Sequence, residues 1–329
     1  MKKLFAVLLS VAVISPALPR DLFAGDQDGT ATAVFLRMDQ GARAQGMGGA
    51  FTAASGDVEC AWWNPAGPVM LGGSQFTASY NSFIEDISAT YAAFAVPFGP
   101  KKRNSILVNA MSVSLGTVDA RDAAGNTTGT ISPSGLVIGA GLALSAGPGT
   151  SVGFMAKNVQ QNLGDDKSTG VAFDAGVLIK LSPDLSFGIS AQNLGSNLKT
   201  DVKGSNLDIE NKLPMNMRAG IAYNVSRKLC LAIDGEKPID ADTRMHVGAE
   251  FAVSESFTLR AGYNTSSAAG LTVGVGILTP VSFASGSDDS WWKEASSKDW
   301  SHNVVRIDYA YVTTNGFDST HRLSLTLKL

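Results

Sequence analysis

Charged side chains recur at alternate positions in the second half of the sequence, and this spacing is the first pattern that could support chemistry. Arg218 alternates with apolar residues, and Arg306 and Asp308 do the same further along. A period of two places such charges on one face of a strand and the apolar residues on the other. The charged positions of this kind are Arg218, Asp234, Glu236, Arg244, Glu250, Arg260, Arg306, Asp308 and Arg322. Because both signs occur, they predict a salt-bridged polar network.

Residue types that carry catalysis or bind metals are few and scattered. The three histidines are His246, His302 and His321, and no local nucleophile motif accompanies them. We expect His246 and His321 to join the polar network, and we expect no enzyme activity, no cofactor and no metal. The chain has no basic run, so nucleic acid is not an expected partner. Cys60 and Cys230 leave two alternatives open, one disulfide or two separate thiols.

The elements that must position these charges are strands. From about residue 73, stretches of some ten residues alternate apolar and polar side chains between turn residues. The last nine residues, HRLSLTLKL, place Leu323, Leu325, Leu327 and Leu329 on one face. About 14 such strands follow one another between residues 74 and 329. An even count places both ends of the strand region on one side, the periplasmic one, with long loops at 116–132 and 194–212 on the other.

Composition indicates where these strands lie. Residues 1–24 combine Lys2 and Lys3 with a short apolar run and small residues, which predicts a secretory signal peptide. Charged residues make up 17% of the chain, and mean hydropathy is +0.09, yet no mature stretch offers the ~18 apolar residues of a spanning helix. A closed barrel is the remaining way to satisfy every backbone group in lipid. We therefore expect an all-β transmembrane antiparallel barrel in the outer membrane of a Gram-negative-type bacterium, with lipid as a partner.

Residues 25–72 precede the first strand and predict a hatch that plugs the lumen, while residues 73–329 form the barrel, with an inserted loop at 279–301. Glycines permit the tight turns a plug needs. Asp57 is expected to cap a short helix running through Trp62. The residues of the hatch motif are Gly46, Gly48, Gly49, Trp62, Trp63, Asn64, Pro65, Ala66 and Gly67. Two interpretations of Met47, Phe51, Trp62 and Trp63 stay open, a small hydrophobic pocket and plug packing.

The segment GARAQGMGGAFTAAS, followed by WWNPAG, resembles the hatch of the PorV/PorQ family within the FadL-like (OMPP1/FadL/TodX) group of outer-membrane transport barrels. The likeness continues through SAQNLGSNLK, LPMNMRAGIAY, DGEKPID, VGAEF, LRAGYN and DYAYV. Asn64, Pro65 and Ala66 match the Asn-Pro-Ala signature of that group. Two features depart from the family: the chain ends in Leu329 instead of an aromatic residue, and the insertion at 279–301 is longer than the usual turn.

This resemblance implies a 14-stranded barrel plugged by an N-terminal hatch. It also implies a non-enzymatic role in type IX-like protein secretion, in which the barrel binds secreted cargo proteins from a translocon and shuttles them. The alternative is a FadL-like transporter of long-chain fatty acids or other hydrophobic molecules. The charge network favours a salt-bridged wall over an apolar conduit, which speaks for the first role.

Overall fold

A computed structural model of the chain describes residues 31–69, 71–83, 86–122, 124–195, 197–201, 208–265, 270–280, 304–314 and 319–329. The expected signal peptide and the part of the inserted loop from residue 281 lie outside these residues. Among the described residues, no helix has both the length and the apolar character needed to cross a membrane.

Fourteen strands form a closed antiparallel barrel, which confirms the predicted fold class. They are β1 (Gln75–Ser82), β2 (Ile87–Phe98), β3 (Asn104–Leu115), β6 (Ser134–Gly147), β7 (Thr150–Leu163), β8 (Asp166–Lys180), β9 (Leu185–Gly195), β12 (Asn216–Asn224), β13 (Leu229–Pro238), β14 (Arg244–Ala252), β15 (Phe257–Asn264), β16 (Leu271–Pro280), β17 (Val304–Val312) and β18 (Thr320–Lys328). The two long loops contain short hairpins: β4 (Val118–Arg121) with β5 (Thr127–Ile131), and β10 (Leu198–Asp201) with β11 (Asp208–Asn211).

The barrel closes where its last strand pairs with its first. β1 pairs with β18, so that Gln75 lies beside Lys328. The first strand therefore begins, and the last strand ends, at the same end of the barrel. We call this the terminal end and the opposite one the loop end. β8 and β9 are consecutive strands, and the register of their pairing shifts between Phe173 and Ala175. The shared terminal end agrees with the even strand count.

Side chains alternate between the lumen and the outer surface as predicted. On β18, Leu323 and Leu325 are exposed outside, whereas Arg322 and Ser324 are buried inside. The expectation for His321 was wrong. His321 is two residues before Leu323 on β18, so both side chains point to the outer surface of the barrel. The Nδ1 of His321 lies 2.7 Å from the hydroxyl of Tyr309.

Aromatic residues mark two heights on the outer surface. Tyr80, Tyr263 and Tyr311 lie near the loop end, and Tyr223, Phe251 and Phe98 near the terminal end; many of the exposed aliphatic side chains lie between them. Transmembrane barrels carry such girdles at the two membrane–water interfaces.

The hatch fills the lumen. Its described residues contain one short α-helix, α1 (Ala42–Gly46), and 3₁₀ helices at Val34–Arg37 and Val58–Trp62. It starts at the loop end, where Thr32 N–H donates to the Lys212 carbonyl (3.0 Å), and ends at the terminal end where β1 begins. The hatch thus crosses the whole lumen before the first strand.

Candidate functional site

The hatch backbone turns so tightly that side chains do not fit along part of it. Gly48 and Gly49 have φ angles of +66° and +81°, in the left-handed region that favours glycine. A side chain at Gly48 would also overlap the backbone of Tyr263 on β15. Gly46 packs directly on Gly274 of β16. The small residues of the motif therefore let hatch and barrel backbones touch.

The barrel wall contributes glycines of its own at these contacts. A side chain at Gly248 or Gly262 would overlap the backbone of Met47–Gly48, and one at Gly188 would overlap the backbone of Thr52. These three glycines lie on β14, β15 and β9. The fit between hatch and wall is thus a backbone-to-backbone contact.

Asn64 of the Asn-Pro-Ala signature joins two parts of the hatch to the wall. Its Nδ2 donates to the carbonyls of Thr52 (2.9 Å) and of Val177 on β8 (3.1 Å), and its Oδ1 accepts from the Ala66 N–H (3.0 Å). Pro65 lies over glycines of two neighbouring strands, Gly153 and Gly176. The signature therefore positions the hatch against β7 and β8.

The two tryptophans of the motif face different neighbours. Trp63 donates from Nε1 to the Gln40 carbonyl (3.1 Å) and meets Phe51 edge-on, with ring centroids 6.3 Å apart. Trp62 instead packs edge-on against Tyr91 of β2, at 5.4 Å. The residues of the possible pocket, Met47, Phe51, Trp62 and Trp63, lie in one buried apolar cluster that also includes wall residues.

The two cysteines are separate thiols in this structure. Cys60 is buried in the hatch, and Cys230 lies on β13. Burial raises the pKa of the Cys60 thiol well above its usual value. Gly67 packs on Cys60, and a side chain there would clash with it. Within the described part of the chain, no group of three or more His, Cys, Asp or Glu side chains is placed to hold a metal ion.

Asp57 links the hatch to the charged wall. Its Oδ1 accepts from the Glu59 N–H (3.0 Å) and so caps the helix Val58–Trp62, as predicted. Its Oδ2 accepts from Arg43 (2.8 Å) and from Arg306 of β17 (2.7 Å). Burial alone would raise the pKa of Asp57, but Arg306 and Arg43 outweigh it and hold that pKa well below its usual value.

The contacts of Asp57 continue through the wall and return to the hatch. Arg43 also donates to both carboxylate oxygens of Glu250 on β14 (2.8 Å each). Arg260 of β15 donates to Glu250 (2.6 Å) and to Asp308 (2.8 Å), and Arg306 donates to Asp308 (2.6 Å). This closed circuit, which we call the ionic ring, consists of Arg43, Asp57, Arg306, Asp308, Arg260 and Glu250.

The ionic ring contains three guanidinium groups and three carboxylates, so its charges balance. Glu59 of the hatch lies beside it, fully buried, and its Oε1 accepts from the Ala44 N–H (3.0 Å). Burial, reinforced by the nearby Asp57 carboxylate, raises the pKa of Glu59 to about 8. Glu59 is therefore a buried acid that stays protonated at neutral pH.

A second polar cluster holds the hatch nearer the loop end. Arg218 of β12 donates to Glu236 of β13 (3.1 Å) and to Asp39 of the hatch (3.0 Å). His246 of β14 bonds through Nε2 to Glu236 (2.9 Å), and its Nδ1 lies 2.7 Å from the Gly48 carbonyl oxygen. This cluster also joins wall and hatch.

The remaining members of the predicted charge network face the lumen without an ion pair of their own. Asp234 accepts from the backbone N–H groups of Phe51 and Thr52, at 2.8 Å each. Arg322 donates to a backbone oxygen at the end of β1 (2.6 Å). Arg244 has no carboxylate at ion-pair distance among the residues that the structure describes.

The opposite wall of the lumen is mainly apolar, which the sequence pattern did not indicate. Its buried inward-facing apolar residues on β2, β3, β6 and β7 include Ala89, Tyr91, Ala93, Ala95, Leu107, Met111, Val113, Val137, Met155 and Val159. The buried polar residues on the same faces are Ser105, Asn109, Ser151, Lys157 and Gln161. The expected salt-bridged wall therefore forms only part of the lumen: charge is concentrated on β12–β18, and the sector of β2–β7 is mostly hydrocarbon.

A buried ion pair interrupts this sector at β7, and its lysine was missing from the predicted charge network. Lys157 of β7 donates to Asp174 of β8 (2.7 Å) and to the Oδ1 of Asn193 (2.5 Å), where the β8–β9 register shifts. Its ammonium lies 5.7 Å from the ring centre of Trp62. Lys157 is two residues from both Met155 and Val159 on β7, so it shares their inward face.

Comparison with known proteins gives relatives in structure only. No family model and no curated protein matches the sequence. The CymD monoaromatic hydrocarbon channel superposes with a TM-score of 0.55 at 15% identity, over 87% of this chain and 96% of that one. The Pseudomonas putida toluene transporter TodX gives 0.57 at 13% identity, over 88% and 96%.

A FadL homologue of Pseudomonas aeruginosa superposes equally well, with a TM-score of 0.55 at 11% identity over 88% of this chain and 97% of that one. At such identities the likeness concerns the fold. The shared feature is the barrel fold, and the likeness does not bear on the PorV/PorQ family.

Proposed function

We propose that the protein is an outer-membrane channel for small uncharged apolar molecules. The observation that carries this proposal is the apolar sector of the lumen on β2–β7, which faces the hatch with hydrocarbon. The aromatic girdles and the apolar band between them support a membrane location. The fold agrees with this, since it is similar to a monoaromatic hydrocarbon channel and a toluene transporter.

The hatch makes selectivity possible. An open barrel of this size would be a water-filled pore. Here the ionic ring and the backbone contacts hold a plug in the lumen, so an ion would have to cross a packed interior at a high desolvation cost. An apolar molecule contacts apolar side chains in the lumen and gives up no favourable hydration on entering it. The plugged lumen therefore favours apolar over charged solutes.

The test is uptake of labelled toluene by intact cells whose lipopolysaccharide slows apolar compounds. Cells that carry the protein in the outer membrane are compared with the same strain without it. We expect faster initial uptake in proportion to the amount of folded protein, seen as the band that migrates faster unboiled than boiled. Equal uptake at high levels of folded protein would overturn the proposal.

The shuttle role in type IX-like secretion, with cargo proteins and a translocon as partners, stays a prediction from the sequence resemblance. Transport of long-chain fatty acids stays one as well. Purification from the native host in mild detergent separates them. A translocon, or secreted proteins that share a C-terminal domain, would favour the shuttle, whereas enriched fatty acids without protein partners would favour a wider apolar substrate range.

A further inference from the structure

We infer that apolar solutes pass between the hatch and the wall formed by the inward faces of β2, β3 and β6, and that this route recognises uncharged molecules bearing a hydroxyl group. The inference rests on the proposed channel function and adds where the route runs and what it selects. We call this wall the passage wall. Its inward residues include Tyr91, Met111 and Val137.

The hatch is fastened to the other strands by directional bonds. On the β13–β18 side these are the ionic ring, the bonds of Asp234 to two hatch N–H groups, and the bond from the Ala42 N–H to Ser324 (2.7 Å). On β9, Ser190 donates to the Trp63 carbonyl (2.8 Å). On β1, Gln75 accepts from the Val58 N–H (3.0 Å). These bonds fix the hatch around most of the barrel.

The passage wall is different. Among the described residues, no hydrogen bond or ion pair joins the hatch to β2, β3 or β6. The contacts there are apolar: Trp62 meets Tyr91 edge-on, and the Phe35 ring lies in the space that a side chain at Gly135 would fill. The hatch thus touches this sector without directional bonds.

This asymmetry decides where a solute can pass. Separating the hatch from β14–β18 would leave buried charges without partners, which is costly in a low-dielectric interior. Separating it from the passage wall to admit an apolar molecule replaces one set of hydrocarbon contacts with another. The route of least free energy therefore follows the passage wall, with the hatch still fastened on the opposite side.

Buried polar atoms lie on and beside this wall. The Tyr91 hydroxyl on β2 lies beside the side chain of Asn109 on β3, to which it can donate while its oxygen remains able to accept. The Ser79 Oγ on β1 is buried and has no hydrogen-bond partner within ordinary geometry. Ser79 lies directly across from Tyr91 in the strand register. Buried polar groups are normally paired, so these atoms suit an occupant with one neutral hydrogen-bonding group. A charged occupant would find no counter-ion on the passage wall.

A matched pair of substitutions tests the route. Val137 on the passage wall and Val312 on β17 are both buried and face the lumen. We expect Val137→Trp to lower toluene uptake by about ten-fold, because added bulk in a packed wall closes the space, and Val312→Trp to leave it near wild type. Phe replaces Trp at both positions if either variant loses its heat-sensitive gel band.

The outcomes separate the route from the function. Uptake by the wild type with equal losses in both variants, or a loss confined to Val312→Trp, would overturn the route while the channel function stands. No uptake by the wild type would overturn the proposed function itself.

Tyr91→Phe tests the recognition. It keeps the ring that packs on Trp62 and removes only the hydroxyl. We expect p-cresol uptake to fall about three- to ten-fold, the effect of one hydrogen bond, with toluene uptake unchanged. Equal uptake of p-cresol by variant and wild type would overturn the hydroxyl selectivity.

Discussion

Asp57 of the hatch and Arg306 of the barrel form a buried ion pair, with 2.7 Å between the Oδ2 of Asp57 and the Nη2 of Arg306. They are 249 residues apart in sequence. The pair closes the ionic ring between plug and wall, so a change at either residue alters how firmly the hatch is held.

Replacing Asp57 with Asn keeps the size of the side chain and removes its charge. Arg43 and Arg306 then lose a shared counter-ion, which costs about 3 kcal/mol of the free energy that holds the hatch in place. We expect a higher frequency of ion-conducting openings in planar bilayers. Asp122→Asn is the control, because Asp122 is exposed and bonds within its own turn. Matching single-channel records for both variants would show that the ionic ring does not hold the hatch.

The raised pKa of Glu59 makes hatch docking pH-dependent. The docked hatch keeps Glu59 protonated up to about pH 8, whereas a displaced, hydrated Glu59 titrates near 4.5. Between these values the docked state binds the extra proton, so docking weakens as pH rises, by up to about 1.4 kcal/mol per pH unit. The lowered pKa of Asp57 acts oppositely: its contribution is present above its ordinary value near 3.8 and is lost as pH falls below it.

Conductance of the wild type should therefore increase from pH 5 to pH 8, and Glu59→Gln should flatten this dependence. A variant that retains the full wild-type slope would assign the pH dependence to another group.

The wall glycines predict a steric effect without any change in charge. Gly262→Ala adds a methyl group that overlaps the Met47–Gly48 backbone, so the hatch must shift, at a cost of about 1–3 kcal/mol. Gly235→Ala is the matched control, since the nearest atom to its new Cβ is the Met245 sulfur at 3.9 Å. We expect a lower temperature of conversion from the fast to the slow gel band for Gly262→Ala only. Equal conversion temperatures would refute a tight backbone contact at β15.

The buried pair at the β8–β9 register shift predicts non-additive effects. Lys157→Met leaves the Asp174 carboxylate buried without its cation, which costs about 3 kcal/mol or more. The double variant Lys157→Met/Asp174→Asn removes both charges, and we expect it to recover most of the lost thermal stability. A double variant that is less stable than the single one would mean that the ion pair itself stabilises the pairing of β8 with β9.

The sequence allowed the barrel to be predicted wherever the two faces of a strand differ. On β17 and β18, charged residues such as Arg306 and Arg322 alternate with tyrosine, isoleucine or leucine, so strands and faces are clear. On β3, the inward Leu107 and Met111 and the outward Ile106 and Val108 are all apolar. The period-two contrast disappears there, and the apolar sector of the lumen could not be recognised.

The hatch motif was visible in the sequence, but its partners were not. The glycines of 41–67 indicated close packing, and Asp57 was correctly expected to cap a helix. The ionic ring could not be predicted, because Arg43 and Glu250 meet only after the barrel closes around the hatch. The hairpins β4–β5 and β10–β11 are short, and their sequences lack a clear apolar face.

The most direct measurement compares toluene with benzoate, which have the same ring and differ in charge. Initial uptake of both is followed in intact cells with and without the protein in the outer membrane. The ionic ring fastens the hatch, and the passage wall is hydrocarbon. We therefore expect cells with the protein to take up toluene faster than cells without it, and to take up benzoate at the same rate. Equal acceleration of both compounds would contradict the account, because it would mean that the lumen is an open aqueous pore.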